Sequence, residues 1–115
     1  MDMLETVRKT GRALSDPNRV RILLALLERE ELCVCELTEM LGLAGATVSR
    51  HAAILLEAGL AETRKDGRWV HYRIANSPKR PLPDGVLDWL RTEGSTDPLA
   101  REDAKKLKKH FLCKE

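Results

Sequence analysis

Rings are scarce in this chain. Trp69, Tyr72, Trp89 and Phe111 are the aromatic residues among 115. A core so poor in rings is built from Leu, Val, Ile and Ala, which suits packed helices. No window approaches 18 consecutive apolar residues, so no membrane-spanning helix and no membrane partner is expected. The start, Met1-Asp2-Met3-Leu4-Glu5, lacks a basic segment followed by an apolar stretch. No secretory leader is expected, and the chain is placed in the cytoplasm. Cysteine occurs three times, at Cys33, Cys35 and Cys113. A small odd number opposes a disulfide framework and favours reduced thiols. A large charge of one sign is also missing: the net charge is +2. Taken whole, that value speaks against an obviously basic nucleic-acid binder. What is present, 43% apolar and 33% charged residues, describes one globular domain. The length is too short for two separate cores.

The average hides an uneven distribution. Residues 1–41 carry a net −2, residues 42–80 carry +4, residues 81–100 carry −3 and residues 101–115 carry +3. A basic middle between acidic flanks is the pattern of a local phosphate-binding surface.

Periodicity and punctuation divide the chain into helices and one hairpin. Residues 4–14 read as a helix with Leu4, Val7 and Leu14 on one side. Asp16-Pro17 is a start signal, with Asp16 as cap and Pro17 in the first turn. The helix that follows, 17–29, is apolar on nearly all sides and is expected at the centre of the core. Residues 36–41 form a short helix ended by Gly42. In residues 45–58, Val48, Ala52 and Leu55 recur at helical spacing and should face inward. Thr47, Arg50 and Ala53 lie opposite. Asp66-Gly67 predicts a two-residue hairpin turn that pairs Lys65 with Arg68 and Thr63 with Val70. Val70, Tyr72 and Ile74 then face the core, while Trp69, His71 and Arg73 face outward. Residues 76–83, with three prolines, read as a linker. Residues 84–93 and 98–112 read as two further helices.

The fold class is therefore mainly α with a β-hairpin wing, a winged helix-turn-helix. Residues 1–115 form a single such domain, with a core over 1–93 and a helical extension over 94–115. In this layout one helix end enters the major groove and short polar side chains reach base edges. Gly45, Thr47, Ser49, Arg50 and His51 are the candidate DNA contacts on that helix, with His51 read equally as a packed histidine. Arg64, Lys65 and Arg68 on the ribbon can meet phosphates or a minor groove. The helix start near Gly45 and Ala46 adds backbone donors for phosphate.

Four stretches carry a resemblance: ALSDPNRVRILLALL at 13–27, ELCVCEL at 31–37, TVSRH at 47–51 and LLEAGLAETRKDGRWVHYRI at 55–74. They resemble the ArsR/SmtB family of metal-responsive winged-helix repressors, and ELCVCEL looks like its arsenic- and antimony-sensing branch. The resemblance implies a homodimer bound to double-stranded operator DNA. It implies trivalent arsenic or antimony as inducer, bound at Cys33 and Cys35, with release from DNA and no permanent cofactor. It also implies a dimer surface on residues 4–14 and 84–93, with Leu4, Val7, Leu87, Trp89 and Leu90 as its apolar residues. Soft thiolates suit soft ions. Two cysteines at i, i+2 on an intact helix point about 200° apart, so binding should unwind or re-aim the backbone there.

The chain departs from the family at three places. The arsenic branch carries a third cysteine where this chain has Thr38. The third ligand is then Cys113, an external thiol such as glutathione, or none. Other thiophilic ions and a redox role for Cys33 and Cys35 stay open. Ala44-Gly45-Ala46 replaces a polar cap and a Gln, at a cost of about 1 kcal/mol of capping. Residues 84–93 hold no His, so Asp84 and Asp88 make no zinc site. His110 and Cys113 share a weak metal-ligand spacing or belong to an exposed tail. No His has a Ser or Cys partner spaced for catalysis, so no enzyme is expected. A thiol oxidoreductase would sit beside a parallel strand–helix unit, which a lone hairpin does not supply. A metal-independent regulator with structural or redox-active cysteines is the alternative.

Overall fold

Asp16 and Pro17 set the central helix in place. The Asp16 carboxylate accepts from the Asn18 N–H at 2.8 Å, and Pro17 occupies the first turn. The computed structural model describes residues 3–75 and 84–108. In chain order these form α1 (Met3–Ala13), α2 (Pro17–Glu28), β1 (Leu32–Cys33), α3 (Val34–Leu41) and α4 (Gly45–Glu57). Next come β2 (Ala61–Asp66), β3 (Trp69–Ile74), α5 (Asp84–Gly94) and α6 (Pro98–Leu107). The architecture is the winged helix-turn-helix expected from the pattern. The prolines of 76–83, together with His110, Phe111 and Cys113, lie outside the described residues.

α2 is the hub. Ile22, Leu23, Ala25 and Leu26 are buried, and α4, α5, α6 and β3 all pack against it. α3 contributes Leu37 and Met40 to the same core, and α4 contributes Val48, Ala52 and Leu55. Each such fully buried Leu or Ile stabilises the fold by roughly 1.5–3 kcal/mol. Gly42 closes α3 in the left-handed conformation, φ 69°, so the chain reverses at once into α4.

The sheet corrects the sequence reading in three respects. First, it has three antiparallel strands in the order β1-β3-β2, where a two-stranded hairpin was expected. β1 is two residues long, and so short a segment has no period to read. Second, the hairpin register is shifted. Asp66 pairs with Trp69, Lys65 with Val70 and Thr63 with Tyr72, so the loop is Gly67-Arg68 and not Asp66-Gly67. Of Asp66, Gly67 and Arg68, Gly67 alone takes a positive φ, 63°. Starting the loop at Gly67 spares Asp66 the left-handed conformation that an Asp-Gly turn of type I′ would impose. Third, His71 is 9% exposed although it lies on the face expected to be outward. β1 sits beside it and pairs Cys33 with His71, so part of that face is covered.

Helix ends also differ. α3 begins at Val34, two residues earlier than 36. α6 ends at Leu107, short of 112, and residues 109–112 lie outside the described residues.

α6 is fastened by charge. Arg21 of α2 donates from Nε and Nη2 to both carboxylate oxygens of Asp103, each at 2.9 Å. The bonds to Asp103 raise the Arg21 pKa above its ordinary value. Arg29 bonds the Leu107 carbonyl, and Lys106 donates to the Met40 carbonyl at 3.2 Å. Asp103 is only 4% exposed, so losing its partner strands a buried carboxylate. Arg21→Ala should lower unfolding stability by about 3–5 kcal/mol in a urea titration.

Candidate DNA-reading surface and thiol site

α3, the Gly42–Ala44 turn and α4 form the helix-turn-helix. Val48, Ala52 and Leu55 turn α4's apolar side inward, which leaves Gly45, Ser49 and Arg50 exposed and Thr47 half-buried. The Arg50 guanidinium reaches the Thr47 hydroxyl at 3.4 Å. Ala44 is the N-cap and offers no side-chain acceptor, so the first amides of α4 stay unmet by any cap. These amides and the Thr47, Ser49 and Arg50 side chains make a polar surface with a positive backbone end.

His51 is placed differently from its neighbours. It is half-buried, and its Nδ1 lies 3.1 Å from Nη1 of Arg19. A guanidinium only donates, so Nδ1 accepts and the ring proton sits on Nε2. Arg19 also donates to the Ala13 carbonyl at 3.1 Å, the Arg12 carbonyl at 3.0 Å and Ser15 Oγ at 3.2 Å. This guanidinium therefore caps the end of α1 and touches α4. Sequence reading did not single out Arg19, and an arginine in an apolar helix gives no signal of such a role.

At the wing, Arg64, Lys65 and Arg68 are all exposed. Arg64 is engaged: its Nε and Nη2 donate to Glu31 at 2.8 and 2.7 Å. Arg73 approaches the same carboxylate at 3.6 Å and donates to Glu62 at 2.8 Å. The Arg64 guanidinium holds the Glu31 carboxyl below the usual carboxylate range. Among the described residues no carboxylate pairs with Lys65 or Arg68, which leaves the wing tip cationic.

Cys33 and Cys35 straddle the start of α3. Cys33 is the N-cap, in extended backbone with φ −87° and ψ 167°, and is 2% exposed. Cys35 is half-buried in the first helical turn. With a helix expected over 36–41, both cysteines would precede it; α3 instead starts at Val34, so Cys35 lies inside it and Cys33 before it, and the 200° divergence of an intact helix does not apply. Glu36 reaches back to accept from the Cys33 N–H at 3.0 Å, while the Cys33 sulfur accepts from the Glu36 amide. Burial pushes the Cys33 thiol pKa up, against the lowering effect of that amide. Cys113, the candidate third ligand, lies outside the described residues. Among the described residues no three Cys, His, Asp or Glu side chains are gathered closely enough to hold a metal ion.

The five apolar residues assigned to a dimer surface separate. Leu4, Val7 and Trp89 are exposed, at 75%, 61% and 58%. Leu87 and Leu90 fill the monomer's own core instead. No helix among the described residues is long and apolar enough to cross a membrane.

A family model, the bacterial regulatory protein arsR family, matches residues 16–63. The arsenical resistance operon repressor of Escherichia coli is 48% identical over 62 residues, covering 54% of this chain and 53% of that protein. The chain thus matches about half the length of that relative. The arsenic resistance transcriptional regulator ArsR1 of Pseudomonas putida is 46% identical over 88 residues, covering 69% of this chain and 67% of its own. The chain belongs to the ArsR family. A solved winged helix-turn-helix domain from Mycobacterium bovis, described as homodimeric and as a possible ArsR-family regulator, shares the fold. It has a TM-score of 0.64 at 26% identity, covering 95% of this chain and 91% of that one.

In this ArsR-family chain the matched stretch runs from the Asp16 cap to Thr63 in the wing. It holds α2, Cys33 and Cys35, and all of α4. Membership in a family of regulators agrees with the expectation of no enzymatic activity. The uncapped start of α4 offers a direct check. Ala44 already has the extended backbone of a cap, so Ala44→Ser should add about 0.5–1 kcal/mol, read as a raised thermal midpoint.

Proposed function

We propose that this chain is a homodimeric transcriptional repressor that leaves operator DNA when a thiophilic ion binds at Cys33 and Cys35. One observation carries the reading: the cysteines bracket the first residue of the helix that packs on the DNA-reading helix. α4 enters the major groove, with Thr47, Ser49 and Arg50 at base edges and the Gly45 amide near phosphate. Lys65 and Arg68 meet phosphate from the wing tip. Arg64 holds Glu31 and contributes less. His51 positions α4 through Arg19. Leu4 and Val7 of α1, with Trp89 of α5, supply exposed apolar surface for a second copy. The names of the two arsenic-resistance relatives support trivalent arsenic as inducer. Antimony is included for its like preference for thiolates, and free thiols place the action in the reducing cytoplasm.

Thiolates are the donors such an ion prefers. Each thiol gives up its proton to solvent on binding. Drawing the Cys35 sulfur to the Cys33 sulfur requires the first turn of α3 to move, since the two lie on either side of Val34. The bound ion favours that moved state and shifts the population away from the DNA-competent one. Cys113 is the candidate third sulfur. A second reading, a regulator that senses no ion, is favoured by the burial of Cys33 and its part in capping α3.

A gel shift with DNA upstream of the chain's own gene tests this. Arsenite, antimonite, cadmium or zinc should dissolve the complex of the wild-type protein. Cys33→Ser and Cys35→Ser should keep DNA binding and lose the release. Complexes that persist with every ion would overturn the sensor and leave the repressor. Lys65→Ala and Arg68→Ala should each weaken binding evenly across DNA sequences and reduce the salt slope by about one.

A further inference from the structure

A buried ring nitrogen without a partner stands beside the thiol site. Nδ1 of His71 has no hydrogen-bond partner among the described residues, and the side chain is nine-tenths buried. Such atoms are uncommon in folded proteins, and each calls for a reason. β1 pairs with β3 so that Cys33 lies directly opposite His71. Residues opposed in an antiparallel pair project to the same face, with Cβ atoms about 4.5–5.5 Å apart. Both side chains line one open cleft of about 380 Å³, together with Glu31, Arg64, Asp66 and Trp69.

We propose that His71 is a metal ligand, its Nδ1 forming with the Cys33 sulfur a mixed nitrogen–sulfur site for a divalent ion of the zinc and cadmium kind. The inference rests on the reading of Cys33 as a thiolate ligand and adds a donor from a different strand. Imidazole and thiolate together suit such borderline ions, whereas trivalent arsenic prefers sulfur alone. Glu31 lies in the same cleft, but its carboxylate is taken by Arg64 and Arg73. Cys35 completes the set once the first turn of α3 moves. The Cys33 thiol loses its proton to solvent, and His71 binds as the neutral ring with its proton on Nε2. The site thereby differs from an all-sulfur one in which ion it holds best: His71 strengthens cadmium or zinc and leaves arsenite unaffected.

The full chain, labelled with nitrogen-15, is titrated with cadmium-113 and its imidazole resonances are followed. A coupling between cadmium and the His71 ring nitrogen is expected. Competition with a chelator should show cadmium affinity falling tenfold or more in His71→Ala, with arsenite affinity unchanged within twofold. A ring nitrogen that neither shifts nor couples, with cadmium affinity within twofold of wild type, overturns the assignment. Should His71→Ala not fold, the resonances of the wild-type protein decide alone. Cys33→Ser separates the two readings. If it loses cadmium while His71→Ala keeps it, only the His71 assignment fails. If it too keeps cadmium, the thiol reading fails and takes this one with it.

Discussion

A helix that is apolar on nearly every side must be surrounded, and in a chain of this size that requirement organises everything else. α2 is covered by α4, α5, α6 and β3. Its burial leaves few places for the short elements, so α3 and α4 must fold back tightly at Gly42. The helix-turn-helix is thus held from behind by hydrophobic packing, and its polar side is left to solvent. The polar side chains of α2 serve as fasteners. Arg19 reaches α1 and α4, while Arg21 grips α6. A buried guanidinium with several acceptors orients its neighbours more narrowly than apolar contact does, because its hydrogen bonds have preferred directions.

The electrostatics follow the same division. The net charge of +2 describes no part of the molecule well. Carboxylates at Glu31 and Glu62 take up Arg64 and Arg73 in the body of the sheet. Lys65 and Arg68 extend past those pairs to the tip. A surface that is nearly neutral close to the core and cationic at its end suits a wing that approaches a phosphate backbone with little desolvation of paired charge.

Much of this was legible in the sequence. Asp16-Pro17, Gly42 and the Val48, Ala52, Leu55 spacing act locally, through caps and helical period, and the helices stand where those signals put them. The wing was legible as a hairpin, but its register was not. Asp66-Gly67 and Gly67-Arg68 are both turn dipeptides, and only the backbone angles separate them. β1 was not legible, since two residues in extended conformation depend on a partner forty positions away in the chain. The misplacement of His71 followed from missing that strand: alternation correctly gave its face, and the face was covered. The cysteines were legible as chemistry, whereas their placement on either side of the α3 start was set by the same strand. Leu87 and Leu90 show the opposite limit. An apolar residue on an amphipathic helix such as α5 fits a subunit contact and a monomer core equally well until the packing is known.

The pairing of β1 with β3 joins two parts that a hairpin would have kept apart. Cys33 is both the last residue of the strand and the cap of α3. Its backbone is therefore a shared joint between the sheet that carries the wing and the helix pair that reads the groove. Glu31, two residues earlier, is bolted to Arg64 on the outer strand, so the joint is braced on both of its sheet-ward sides. A displacement at this point is passed on to both the wing, through β3, and the reading helix, through α3. In the function proposed above, the thiols act on the spacing between the wing tip and the reading helix.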